Sequence, residues 1–158
     1  MLSKRSVLLV ACGAVAATAV FAISNVFASS SALPGPGVIR ITSNQISRAH
    51  LDRGLRGPSA GDVDITRALL YNRRLTKHPI GHAELVCTAT GTRSSDCSGT
   101  FFLPRGKIVV AGPRSSPELY EVAVVGGTGL YDNVRGTLTI TALGGKPPRD
   151  LDYFRLLI

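Results

Sequence analysis

Residues 124–140 read VVGGTGLYDNVRGTLTI, and the glycines at 126, 127 and 129 pose a choice between a nucleotide site and a strand connection. A Gly-rich loop after an apolar strand can cradle phosphates, because backbone amides approach an anion closely where no Cβ intervenes. A P-loop would require Lys and then Ser or Thr after the last glycine. A dinucleotide fingerprint would require a glycine three residues beyond Gly129, where Asp132 stands. Both motifs also open a helix, whereas Asn133, Val134 and Gly136 lead into TLTITAL, a run that favours a second strand. The glycines therefore read as a turn rather than a phosphate cradle.

Working outward, the chain has 158 residues, a length for one domain. Lys4 and Arg5 precede an apolar stretch from Val7 to Phe27, and Val26-Phe27-Ala28 places small residues where a signal peptidase reads. Residues 1–28 are read as a secretory signal, with an uncleaved anchor as the alternative because the apolar stretch is long enough to cross a bilayer. Leu9-Val10-Ala11-Cys12 matches a lipoprotein box by chance only, since the run stays apolar beyond the cysteine. Residues 29–37, SSSALPGPG, form a Ser/Pro/Gly linker, and residues 38–158 are the folded domain.

Removing Lys4 and Arg5 lowers the formal net charge from +8 to +6. The basic residues are scattered singly apart from Arg73-Arg74, without aromatic interleaving, so the pattern is a solvated surface and no nucleic-acid partner is expected. Outside the cytoplasm such a surface meets cell-wall polymers, anionic lipids or acidic small molecules. Cys87 and Cys97 remain after the signal and are expected to pair in an oxidising compartment, against the alternative of two free buried thiols. Three dispersed histidines make no metal site. His50 and His78 are assigned to loops, and His82 and Glu84 to the face of their strand opposite Cys87.

Short apolar runs separated by turn residues predict strands near 38–43, 62–70, 80–90, 98–103, 107–111, 119–125, 137–143 and 151–157. Eight strands at even spacing, with no helical period, indicate an all-β antiparallel barrel or sandwich, and eight is the number that closes a small barrel around one modest ligand. KIVVA, ELYEVAVV and LDYFRLLI carry bulky residues on both faces, so something must cover the outer wall. A homo-oligomer is the expected cover, with the segment 49–59 packed over one face as the alternative.

The run GKIVVAGP (Gly106–Pro113), a short acidic spacer, and YEVAVVGGTGLYDNVRGTLTI (Tyr120–Ile140) resemble the last strands of the allene oxide cyclase barrel, and VVGGTG…VRG equally resembles plant dirigent proteins. Gly61-Asp62, Leu70-Tyr71, Ile80-Gly81 ahead of Cys87, and the closing DYFRLLI fall in the same order, so the resemblance spans residues 38–158. It implies an eight-stranded antiparallel β-barrel of the allene oxide cyclase/dirigent type, assembled as a trimer. GGTG would then be the tight connection between two barrel strands, its glycines supplying positive φ.

The site residues carry over one by one. Allene oxide cyclases hold a water with an acid and an Asn two residues apart on the first strand. With ITSNQ (Ile41–Gln45) aligned there, Asn44 keeps the Asn and Thr42 replaces the acid. The lumen aromatic after the GP dipeptide is Arg114, and bulky apolar positions of the second strand fall at Asp64 and Thr66. Such a lumen suits a smaller or acidic ligand better than a fatty-acid epoxide. The Arg of the dirigent ARG motif is matched by Arg135, whose other reading is a surface ion pair with Asp132, while the dirigent acidic pair on the first strand has no counterpart in VIRITSNQ.

Two functions follow as expectations. One is a secreted barrel that binds a small organic ligand in its lumen and steers a cyclisation or coupling without a cofactor, through Asn44, Asp64, Thr66, Arg114 and Arg135. The other is a non-catalytic carrier or trimeric cell-surface barrel. A lumen with convergent polar groups favours the first, and a filled one the second.

Overall fold

The computed structural model describes residues 37–54, 56–72 and 78–157, so the expected signal, most of the linker and Arg73-Arg74 lie outside the described residues. Eight strands follow in chain order: β1 (Val38–Leu51), β2 (Val63–Asn72), β3 (Gly81–Ala89), β4 (Ser95–Leu103), β5 (Gly106–Arg114), β6 (Leu119–Gly129), β7 (Arg135–Gly144) and β8 (Arg149–Leu157). Each pairs antiparallel with its sequence neighbours, and β8 returns to β1 from Val38↔Arg155 to Asn44↔Arg149, closing the barrel. All eight expected strands are present. β1 differs most in length, running eight residues past Ser43.

The two ends of the barrel are built differently. At the end where β6 turns into β7, alternate residues of every strand meet inside. Ile41, Leu70, Phe101, Ile108, Val124, Leu138 and Phe154 are buried there, with Phe101 and Phe154 edge to face at 5.0 Å. Each such side chain contributes roughly 1.5–3 kcal/mol on leaving water. The 130–134 turn, with Tyr131 and Val134 buried, completes this floor.

The glycine cluster belongs to the floor and corrects the expected turn. Gly126–Gly129 lie within β6, paired with Val109, Ile108, Lys107 and Gly106 of β5, and the chain reverses only at 130–134. Of the three glycines only Gly129 has a positive φ, +66°; Asn133 supplies the turn's other one, +58°. A Cβ on Gly127 would stand 2.3 Å from the Tyr131 carbonyl oxygen and 2.7 Å from that of Lys107. Close approach of the turn, rather than backbone conformation, excludes a side chain there.

The described residues of the segment 49–59 do not cover the outer wall. Ala49–Leu51 extend β1, and Gly57, Pro58 and Ser59 line a cavity at the open end. Ile65, Val86 and Val109 remain exposed on the wall.

Candidate functional site

The open end is hollow. An inner chamber of 290 Å3 is bounded by Ser43 and Gln45 of β1, Thr66 and Ala68 of β2, Ala83 and Leu85 of β3, Tyr120 of β6, and Asp150 and Asp152 of β8. An outer chamber of 340 Å3 lies among His50, Asp62, Asp64, Arg93, Ser95 and the 57–59 loop. Arg48, Cys87, Arg114 and Pro117 line both.

A bulge in β1 decides what the mouth contains. The β1–β2 register shifts between Gln45 and Ser47, leaving Ile46 exposed outside the ladder. Inward positions therefore run Ile41, Ser43, Gln45 and then Arg48, His50. His50 thus sits in a strand, opposite Asp64, not in the loop expected for it. Arg48 donates to Asp64 through Nε and Nη2 at 3.2 and 2.9 Å, and His50 Nδ1 lies 3.0 Å from Asp64 Oδ1. Burial alone would raise the Asp64 carboxyl, but the bonds and charges of Arg48 and His50 outweigh it and hold the group below its ordinary value.

Asp62 ties down the rim. Its carboxylate accepts from the Arg53 and Ser59 amides at 2.9 and 2.8 Å and from the Ser59 hydroxyl at 3.2 Å, and the two amides hold its pKa below the ordinary value. The Cys87–Cys97 disulfide joins directly opposed residues of β3 and β4 beneath this rim, as the compartment argument expected.

The inner chamber has the opposite electrostatics. Asp152 is 2% exposed, its Oδ2 has no hydrogen-bond partner, and burial, reinforced by the neighbouring Asp150 charge against the pull of Ser43, raises its pKa to about 7. Burial also raises Asp150, opposed by Arg114. Tyr120 is pushed up to about 12, chiefly by burial, so it stays a phenol. The Arg114 guanidinium stands 5.9 Å from the Tyr120 ring centroid.

Of the expected site residues, Asp64, Thr66 and Arg114 line the chambers. Asn44 does not: it sits on the face of β1 opposite Ser43 and Gln45, with Oδ1 shielded and unpartnered. Arg135 is exposed at the start of β7, beside the floor and away from the mouth, and makes no ion pair with Asp132. Sequence reasoning missed Asp150, Asp152, Tyr120, Arg48 and His50. For the two acids a signal was present, since they occupy alternate positions in phase with Phe154 and Leu156.

Solved structures share this architecture. Pyocyanin demethylase aligns with a TM-score of 0.67 at 22% identity, over 76% of this chain and 99% of its own. The fold is that of the dirigent and cyclase barrels. A pterocarpan synthase dirigent protein aligns at 0.59 and 14% identity, over 75% of this chain and 84% of that one. The Diels-Alderase AbmU from Streptomyces koyangensis aligns at 0.60 and 11% identity, over 76% of this chain but 63% of that one, so this barrel spans under two thirds of that enzyme. No family model and no curated protein matches the sequence. Within the dirigent and cyclase barrel fold, this chain places its ionisable groups at one end of the lumen.

Proposed function

We propose that the inner chamber binds a small organic molecule and steers its cyclisation or coupling, with Asp152 moving the proton. The observation that carries this reading is the Asp152 carboxyl: buried, facing the chamber, unpartnered at Oδ2, and raised to about 7. A group poised at that value is half protonated near neutrality, which suits it to give a proton to a substrate oxygen or nitrogen and to take one back. Tyr120, held as a phenol, donates a hydrogen bond, and the apolar floor fixes how far the substrate enters. Orientation within the chamber supplies the rest. The names of the neighbouring folds, a demethylase of pyocyanin, a pterocarpan synthase and a Diels-Alderase, support a small-molecule transformation.

The test is to identify, by mass spectrometry, a small molecule retained by natively purified protein and to return it to the barrel. Wild type is expected to convert it to one stereoisomer, and Asp152→Asn to retain it while turning over on the order of a hundredfold more slowly. Release of the molecule unchanged by both proteins would establish a carrier instead.

The proposal includes secretion and assembly as a homotrimer. The Val26-Phe27-Ala28 site supports a mature chain starting near Ser29, which intact mass would read; full-length chain recovered in membranes would establish the anchor. The exposed Ile65, Val86 and Val109 flank one groove on the outer wall, a surface that a second copy would bury. Light scattering giving a monomer mass at micromolar concentration would overturn the trimer.

A further inference from the structure

The two acids of the rim are engaged within the chain, whereas one cation of the mouth, stacked on Tyr120, forms no ion pair among the described residues. Asp62 is occupied by two amides and a hydroxyl, and Asp64 by Arg48 and His50. Arg114, half-buried at the end of β5, lines both chambers, yet among the described residues it has no carboxylate within 4.0 Å. Asp150, on the wall of the same chamber, feels the Arg114 charge without forming an ion pair with it. A partly buried guanidinium with no carboxylate in direct contact keeps its donors open, and an anion that reaches it gains a charge-assisted, bidentate pair.

Its surroundings favour an anion. The Arg48 and Asp64 charges cancel, while Arg93 adds a cationic donor on the outer side. On the inner side Asp152 lines the chamber wall, its carboxyl pushed toward the protonated form by burial. The two ends of the cavity therefore ask for different things from one ligand: a full negative charge at the waist and a neutral acceptor at the inner wall.

Resting on the lumen-binding reading above, the geometry points to an anionic ligand: a compact ring compound carrying a carboxylate or comparable oxyanion that Arg114 clamps at the junction of the chambers, with its uncharged end against Asp152. Arg114 then sets both the ligand class and the depth to which it enters.

Naphthoate and naphthamide, alike in shape and different in charge, test this by calorimetry at neutral pH. Wild type is expected to bind naphthoate at least about tenfold more tightly than naphthamide. Arg114→Gln brings the ratio to about one with naphthamide still bound, which also reports an intact lumen, and Arg114→Lys keeps part of the preference. A ratio near one in wild type, or one that survives Arg114→Gln, overturns the clamp while leaving lumen binding intact. Ala142→Trp, at the exposed edge of the inner chamber, is expected to weaken both probes. If neither probe binds wild type, or if Ala142→Trp weakens neither, lumen binding falls, and the clamp with it.

Discussion

Asp150 and Asp152 occupy successive inward positions of β8, so two carboxyl groups share one chamber, the deeper one fully shielded and the shallower one nearer Arg114. Like charges so placed resist joint ionisation, and burial adds to the resistance. Each is raised above its ordinary value, and the folded chain therefore holds these protons more tightly than the unfolded chain does.

That difference has a pH signature. A carboxyl raised from 3.8 to about 7 contributes stability that is full below its unfolded value and is lost as pH rises through about 7. The loss for Asp152 is on the order of 4 kcal/mol. Thermal melts at pH 5 and pH 8 should show wild type markedly less stable at the higher pH. Asp152→Asn should flatten the profile, keeping only the smaller slope from Asp150. Equal wild-type melting temperatures at the two pH values would contradict the burial argument.

The Gly126 and Gly127 neighbours should respond oppositely to alanine. A Cβ on Gly126 meets nothing within 4 Å, and Gly126→Ala should change stability by no more than about 0.5 kcal/mol. On Gly127 the Cβ would strike the Tyr131 backbone, and Gly127→Ala should cost about 1–3 kcal/mol by overpacking the floor. Urea denaturation of both variants reads the contrast.

Much of the barrel was legible in the sequence because turn residues and β-branched runs alternate cleanly, and of the residues the resemblance named, Asp64, Thr66 and Arg114 stand on the chamber walls. What was lost was lost to register. Asn44 would face inward only if the strand were shifted by one, and no residue near Ile46 announces the bulge that turns Arg48 and His50 inward. In LDYFRLLI the outward Leu151, Tyr153 and Leu157 are as bulky as the inward Phe154 and Leu156, so the run read as apolar on both faces. The phase that the two acids share with Phe154 and Leu156 was present but blurred by that symmetry. The GGTG cluster carries glycines both for a sheet close to its own turn and for positive φ, and the sequence does not separate the two demands.

The disulfide should be complete and stabilising. Cys87 and Cys97 close a loop with a sequence separation of 10, and folded protein should show no free thiol on quantitative labelling. Cys87→Ser should lose about 2–4 kcal/mol in chemical denaturation. Labelling of a thiol in the folded wild type would remove this claim.

The rim loop should open in acid. The Asp62 pKa is lowered by the Arg53 and Ser59 amides, so its contribution is present above the unfolded value of 3.8 and is lost as pH falls through the lower folded value. Hydrogen exchange at the Arg53 and Ser59 amides should accelerate there ahead of the β-strand amides, and Asp62→Ala should show the same acceleration at neutral pH. Unchanged exchange at Ser59 in the variant would show that the loop is held by other contacts.

Among the described residues, the floor of Phe101, Ile108, Leu138 and Phe154 closes one end of the lumen and makes it a well that opens at the other. On the proposed function, reactant and product would use the same doorway in turn, so a product slow to leave would block the next arrival and act as a competitive inhibitor of its own formation. A cul-de-sac also cannot thread a polymer: on a longer molecule only a terminal group can reach Asp152, while the remainder stays outside in solvent.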